Sequence, residues 1–151
     1  MQKGGVRMAT QTYANHRRYI FVYHVVLFGL LVLTFIGSIV NFCVSIGDHE
    51  RIYSASLIVV LDICILLLFF FCRIFALKAQ DRAIRAEENL RHFVLTGKPL
   101  DPGLTIRQII GLRFASDGEF VELSQRAARE HLSEDAIKRA IKNWRPDTYR
   151  V

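Results

Sequence analysis

Formal charge is almost missing between residues 19 and 72, where only Asp48, Glu50, Arg51 and Asp62 carry it. Two long apolar runs result, Tyr19 to Ile46 and Ile52 to Cys72, separated by the polar pentapeptide 47–51. A helix of about 20 residues crosses the ~30 Å hydrocarbon core of a bilayer, and both runs reach that length. The sequence therefore predicts two membrane spans, about 19–46 and 52–72, joined as an antiparallel hairpin.

Cysteine is also scarce, and its three copies, Cys43, Cys64 and Cys72, all lie inside the apolar runs. No two of them form a CxxC pair, so neither a disulfide framework nor a zinc site is expected. Gly-rich phosphate loops, nucleophile elbows, paired-histidine spacing and kinase-type motifs are missing as well. We therefore expect no catalytic residues, no metal and no cofactor, and the sequence does not predict an enzyme.

Charge returns after the second run, since residues 73–151 contain fifteen Lys and Arg against eleven Asp and Glu. This composition is typical of a small soluble unit with a slight basic excess. The predicted division is a basic N-terminal segment (1–18), the hairpin (19–72), a stalk helix (73–96) and a small helical tail domain (97–151). The first run is too long for a signal-peptide core of about 7 to 15 residues, so we interpret it as an uncleaved anchor.

Basic residues flank both runs on the side away from the loop. They are Lys3, Arg7, Arg17 and Arg18 before the first run, and Arg73, Lys78, Arg82 and Arg85 after the second. The loop contributes Arg51 alone, so the positive-inside rule predicts cytoplasmic termini and an external loop. The first run, at roughly 42 Å as a helix, exceeds the hydrocarbon thickness and must tilt or emerge at one end.

Asp62 is the one formal charge within the predicted spans, at the middle of the second. A stripe of small and polar residues lies at matching depth in the first span and is predicted to face it: Thr34, Gly37, Ser38, Asn41 and Ser45. We favour a packing role, in which protonated Asp62 hydrogen-bonds Ser38 or Thr34. The alternative is a proton or ion pathway in a homo-oligomer, because an ionisable residue at this depth is a functional hypothesis by default.

The fold class predicted for the whole chain is all-α. Residues 75–93 lack Gly and Pro, and Gly97 stands where a helix-ending glycine belongs, with Pro99 just beyond. Three short helices then follow, starting with a Thr105/Gln108 capping box, a Ser116/Glu119 capping box and a Ser133 cap. Helical spacing extends the last of them through Ile137, Ala140, Ile141 and Trp144 as far as Pro146.

Basic residues mark two surfaces that could contact a partner. The last predicted helix carries Lys138, Arg139, Lys142 and Arg145, and the stalk carries Arg82 and Arg85. A solvated basic face is the simplest interpretation, and contact with anionic lipid headgroups is the first functional alternative. Nucleic acid is not expected as a partner, because no recognised nucleic-acid module accompanies these residues.

Several segments also resemble the sequence of a known family. They are Asn15-His-Arg-Arg-Tyr19, the stalk run from Arg73 to Pro99, Ile106-Arg-Gln-Ile-Ile-x-Leu-Arg-Phe-Ala115 and Ile141-Lys-x-Trp144-Arg. Together they resemble an uncharacterised bacterial family of small two-span membrane proteins with a helical tail. The resemblance implies a bacterial membrane location and the layout above, and it implies no activity.

Three functional hypotheses follow from the residues. The first is a non-enzymatic anchor whose helical tail binds a protein partner or lipid headgroups. The second is a subunit of an oligomeric proton or ion pathway that uses Asp62. The third is an enzyme with an unrecognised site in the tail, which a cleft gathering Arg82, Glu88, Arg113 and Asp117 would support.

Overall fold

The computed structural model describes residues 12–13 and 20–147, and within them every regular element is a helix. A π-helical stretch, Val22–Leu27, leads into α1, Phe28–Val44, and α2 then runs unbroken over Ile52–Thr96. The tail contains α3, Ile106–Leu112, α4, Asp117–Arg129, and α5, Glu134–Ala140. The all-α expectation is confirmed for the described residues, while nearly all of the predicted basic segment 1–18 lies outside them.

Residue contacts divide the chain into two units, and the first covers residues 18–76. Its two helices are long and apolar enough to cross a membrane, with mean hydropathies of 2.4 and 2.9 over their most apolar windows. They are joined by a tight turn in which Gly47 has a φ of 94°, a conformation that favours glycine. The Asp48 carboxylate closes the turn by accepting hydrogen bonds from the backbone N–H groups of Glu50 and Arg51.

Aromatic side chains connect the two helices of this unit at the end away from the turn. The rings of Tyr23 and Phe69 stack with their centroids 4.5 Å apart, and the Tyr23 hydroxyl donates to the Phe69 carbonyl at 2.9 Å. Phe28 approaches the same ring at 5.8 Å. The buried positions of the unit are small instead, namely Ser38, Ser45 and Ala55.

The second unit contains the residues after 76, with Thr12 and Tyr13 among the described ones. Here α2 ends at Thr96, and Gly97 adopts a φ of 73°, which confirms the predicted glycine stop. The chain then folds back against the helix it has just left, because Asn89 Oδ1 accepts the backbone N–H of Leu100 at 2.9 Å.

Apolar side chains from the tail form the core of this unit. Its members are Ile84, Leu100, Leu104, Ile109, Ile110, Leu112, Phe114, Ala115, Phe120, Leu123, Ala127, Ile137 and Ile141. Of these, only Ile84 belongs to α2. The tail therefore has a core of its own and meets the stalk mainly through other contacts.

The Gln108 side chain caps the start of α3 and also bonds α3 to the end of α4. The predicted capping box is confirmed: Thr105 Oγ1 accepts the Gln108 N–H, and Gln108 Oε1 accepts the Thr105 N–H at 2.8 Å. The Gln108 amide nitrogen also donates to the carbonyls of Ala127 and Leu132, at 3.1 and 3.0 Å. One buried side chain thus supplies hydrogen-bond partners to a backbone N–H at the start of α3 and to two backbone carbonyls at the end of α4.

The predicted Ser116/Glu119 capping box is wrong. Ser116 makes no side-chain cap, and the Glu119 carboxylate instead accepts the backbone N–H groups of Lys142 and Asn143, both at 2.9 Å. Those two N–H groups are therefore not available to extend α5 by i→i−4 bonds. This is why the last helix ends at Ala140, whereas the helical spacing of the sequence predicted that it continues through Trp144.

The segment after α5 runs antiparallel to residues 114–116 as an isolated β-bridge between Ala115 and Trp144. Ser116 N–H donates to the Asn143 carbonyl at 3.1 Å, and Arg145 N–H donates to the Phe114 carbonyl at 2.8 Å. The Trp144 ring packs on the Phe114 ring at 5.1 Å between centroids. Since the sequence has a single tryptophan, its fluorescence reports on the folding of the tail alone.

We expect Glu119→Ala to lower the free energy of unfolding of the tail by about 1–2 kcal/mol, because two backbone N–H groups lose a charged acceptor. The measurement is Trp144 fluorescence during urea unfolding of the full chain in mild detergent. Glu122→Ala is the matched control, since this exposed carboxylate on the same helix makes no such bonds among the described residues. Equal losses in the two variants would contradict the assignment.

The same pair of variants gives a pH dependence. Burial alone would raise the pKa of Glu119, but hydrogen bonds from Lys142 and Asn143 outweigh it and lower that pKa. A carboxyl with a lowered pKa in the folded state stabilises the fold above its unfolded pKa, and the effect is lost as pH falls through the folded value. The difference between wild type and Glu119→Ala should therefore be full near neutral pH and shrink below about pH 4.

Candidate functional site

A groove of about 400 Å³ lies in the second unit, between α2 and the turn that follows it. We call it the stalk groove. Its lining comes from Arg82, Arg85, Ala86 and Asn89 of α2, and from Leu100, Asp101, Pro102, Leu104 and Ile109 of the tail. Buried leucine and isoleucine side chains form its floor, and polar groups stand at its rim.

The α2 side of the groove follows from helical spacing, because residues three, four and seven apart share one face of a helix. Arg82, Arg85 and Asn89 obey that spacing. The tail side is fixed in place by the Asn89 bond to Leu100 and by Asp101 Oδ1, which accepts the Gly103 N–H at 2.8 Å. Hydrogen bonds to α2 and within the turn therefore hold the tail side of the groove against the helix.

Two guanidinium groups without ion-pair partners dominate the charge of the groove. Arg82 and Arg85 are exposed and make no ion pair or hydrogen bond among the described residues. The one carboxylate of the lining, Asp101, is engaged by Gly103. Guanidinium groups bind carboxylate or phosphate through paired N–H donors, so the groove suits an anionic group that carries an apolar part.

The other predicted basic contacts are dispersed. Lys138 is buried, with its ammonium 2.6 Å from Glu134 and above the Phe114 ring, so its predicted surface role is corrected. Arg139 is exposed but is paired with Asp135 at 2.9 Å and contacts the Tyr13 hydroxyl. Lys142 and Arg145 are exposed and lie beyond the end of α5, so these four residues do not form one helical face.

The polar cluster predicted between the two apolar helices is only partly assembled. Ser38 is buried, while Thr34 and Asn41 are exposed. The hydroxyls of Ser38 and Thr34 donate within α1, to the carbonyls of Phe35 and Leu30, so neither forms the predicted bond to Asp62.

Asp62 itself is half-buried. Its Oδ2 atom is shielded from solvent and has no hydrogen-bond partner among the described residues. Buried polar groups usually have partners, so this atom calls for a functional or structural explanation.

Arg91 is the residue that sequence reasoning missed. Its guanidinium donates to Glu88 at 2.9 Å and to Asp117 at 2.7 Å. It also donates to the Ala115 carbonyl at 2.7 Å and lies 4.2 Å above the Phe120 ring. No signal in the sequence could have found these partners, because most of them are more than twenty positions away.

The cleft that would have supported an enzymatic site is not formed by its four named residues. Glu88 and Asp117 are joined through Arg91, Arg113 pairs with Asp147 at 3.3 Å, and Arg82 lines the stalk groove. A separate cavity of about 280 Å³ contacts Glu87, Glu88, Arg113, Arg145 and Asp147. Over residues 12–13 and 20–147 no group of three or more His, Cys, Asp or Glu side chains could hold a metal ion.

Comparison with known proteins gives one match, to a family model over residues 8–151. The chain belongs to the family of unknown function DUF6526. No curated protein and no solved structure matches it. Membership of DUF6526 confirms the predicted likeness to a family of unknown function over residues 8–151 and brings no activity with it, so function must be argued from the residues.

Proposed function

We propose that this DUF6526 protein is an integral membrane protein without enzymatic activity, whose hairpin anchors a helical tail that binds a partner. The observation that carries the proposal is the exposure of the apolar helices. Only 6% of the most apolar window is buried in each of them. The core helices of a soluble protein bury such residues, whereas lipid contact would cover these outward-facing side chains.

A cleaved signal sequence does not explain the second helix. The second helix lies in the interior of the chain, after α1, and continues from its apolar part directly into the charged stalk. Basic residues on the outer flank of both apolar runs support cytoplasmic termini by the positive-inside rule. The proposed location is the inner membrane of a bacterium, with the 47–51 turn on the outside.

The stalk groove is the proposed binding site of the tail. Its two unpaired guanidinium groups and apolar floor favour a ligand with an acidic group beside an apolar part. An acidic protein segment and an anionic lipid headgroup both satisfy this chemistry. The charged groups would select the ligand, and the apolar floor would add affinity through burial.

The anchor and its orientation are tested by cysteine labelling in intact cells. In a background where Cys43, Cys64 and Cys72 are replaced by Ala, His49→Cys should react with a membrane-impermeant maleimide. Lys142→Cys should react only after the cells are lysed, because it lies on the cytoplasmic side. The reverse pattern would contradict the orientation, and release of the protein by alkaline carbonate would contradict the anchor.

The groove is tested with a photo-crosslinking amino acid, benzoylphenylalanine, in place of Pro102 at its rim. A protein partner gives a high-mass adduct and a lipid gives a small mass increase. We expect Arg85→Glu to lower whichever adduct forms by roughly fivefold or more, since a charge-assisted contact becomes repulsive. Arg129→Glu is the matched control, because this exposed arginine on α4 lies outside the groove. Equal adducts in both variants would overturn the groove assignment.

A second candidate function is the proton or ion pathway, and the unpartnered Oδ2 atom of Asp62 favours it. For this function we expect purified protein in liposomes to dissipate a pH gradient. Asp62→Asn should abolish the flux, while Asp48→Asn, in the turn, should retain it. No flux from the wild-type protein would contradict the candidate and leave the anchoring function in place.

A further inference from the structure

The outer face of α2, opposite the tail, carries large apolar side chains in an otherwise charged segment. Leu90 is 63% exposed, Phe93 53% and Val94 75%. They follow the charged stretch 78–88 along the chain, outside the apolar run that ends at Cys72. Their exposed apolar area calls for another surface to cover it.

The spacing of this face is that of a coiled coil. Apolar residues recur at alternating intervals of four and three, which are the a and d positions of a heptad. With Ala83 at a, the sequence is Ala79 (d), Ala83 (a), Ala86 (d), Leu90 (a) and Phe93 (d). We call these five residues the stalk seam.

The tail leaves the seam open. The α2 side chains that are buried or nearly buried against the tail are Ile84 and Arg91 at position b, His92 at c, and Glu88 at f. These positions lie on the side of a helix opposite a and d. Asn89, at position g, also bonds the tail at Leu100, beside the seam. The five seam residues are all exposed, and Ala83 and Ala86 border the two cavities that α2 lines together with the tail.

The charged residues beside the seam favour a second copy of the same helix as its partner. Arg82 falls at position g and Glu87 at position e, and in a parallel pair each g residue faces the e residue five positions on in the other helix. Both side chains are exposed, and neither has an ion-pair partner among the described residues. A second copy of the same helix would supply both missing partners at once, in two symmetric Arg82–Glu87 pairs.

We propose that two copies of this protein pair in parallel through the stalk seam. The three alanines let the helices approach closely at one end of the seam, and Leu90 and Phe93 bury apolar area at the other. The inference rests on the proposed membrane anchor, which sets both copies in the same direction. Two heptads are short for a free coiled coil, and confinement in one membrane raises the effective concentration of the partner helix.

The test is cysteine crosslinking of the full chain in native membranes. With Cys43, Cys64 and Cys72 replaced by Ala, Leu90→Cys should form a disulfide-linked dimer on mild oxidation. Lys78→Cys is the control, because this exposed residue at position c of the same helix points away from a seam partner. We expect a dimer band at least roughly fivefold stronger for Leu90→Cys, since only a and d positions meet their own equivalents across a parallel pair.

Charge exchange then tests the register. In the Leu90→Cys background, Arg82→Glu and Glu87→Arg should each lower the dimer fraction roughly threefold, because two ion pairs become like-charge contacts. The double variant Arg82→Glu/Glu87→Arg should restore it. An effect of Arg82 through the stalk groove would not be rescued by Glu87→Arg, so the double variant separates the two roles.

Other results overturn the proposal. These are equal bands for Leu90→Cys and Lys78→Cys, a Leu90→Cys thiol that takes up maleimide but gives no dimer, and an adduct with a different protein. Carbonate extraction of the same membranes reports on the anchor separately. An extracted protein would overturn the anchor, whereas a retained protein without a seam dimer would overturn the pairing alone.

Discussion

The attachment of the tail to the stalk depends above all on the Arg91 guanidinium. This one side chain, only 10% exposed, binds a carboxylate of its own helix, a carboxylate of α4 and a backbone carbonyl between them. Removing Arg91 would cost on the order of several kcal/mol, because the buried Glu88 carboxylate would lose its compensating charge, whereas the Asp117 carboxylate is exposed to solvent. Since α2 gives only Ile84 to the apolar core, these directional bonds replace much of the area burial that usually joins two elements.

Attachment by hydrogen bonds has a geometric consequence. Apolar contact tolerates small shifts of one surface over another, whereas the fork of an arginine fits its acceptors in one arrangement. Asn89 and His92 add further bonds to the backbone of the returning chain, at Leu100 and Lys98. Together they set the register between stalk and tail, and so the shape of the stalk groove and the side of α2 on which the seam stays open.

Local signals predicted what depends on neighbouring residues. The Thr105/Gln108 box, the Ser133 cap and the Gly97 stop all act within four positions, and each is confirmed. The errors have a common cause. Glu119 and Trp144 contact groups more than twenty positions away, and Arg91 adds distant partners to its local bond with Glu88, which no spacing rule can specify. The candidate site was predicted in part for the same reason: Arg82 and Arg85 share a helix face, but the apolar floor comes from the distant tail.

The π-helical stretch Val22–Leu27 has a consequence for the length of the first apolar run. A π-helix places more residues in each turn than an α-helix, so it takes up chain that regular winding would push beyond the ends. A run of this length in a bilayer has a hydrophobic mismatch, which is commonly relieved by tilting or by thickening the bilayer. Local rewinding next to the aromatic contact of Tyr23 and Phe69 offers a third means of relief, one that shortens the run along its axis without tilting it.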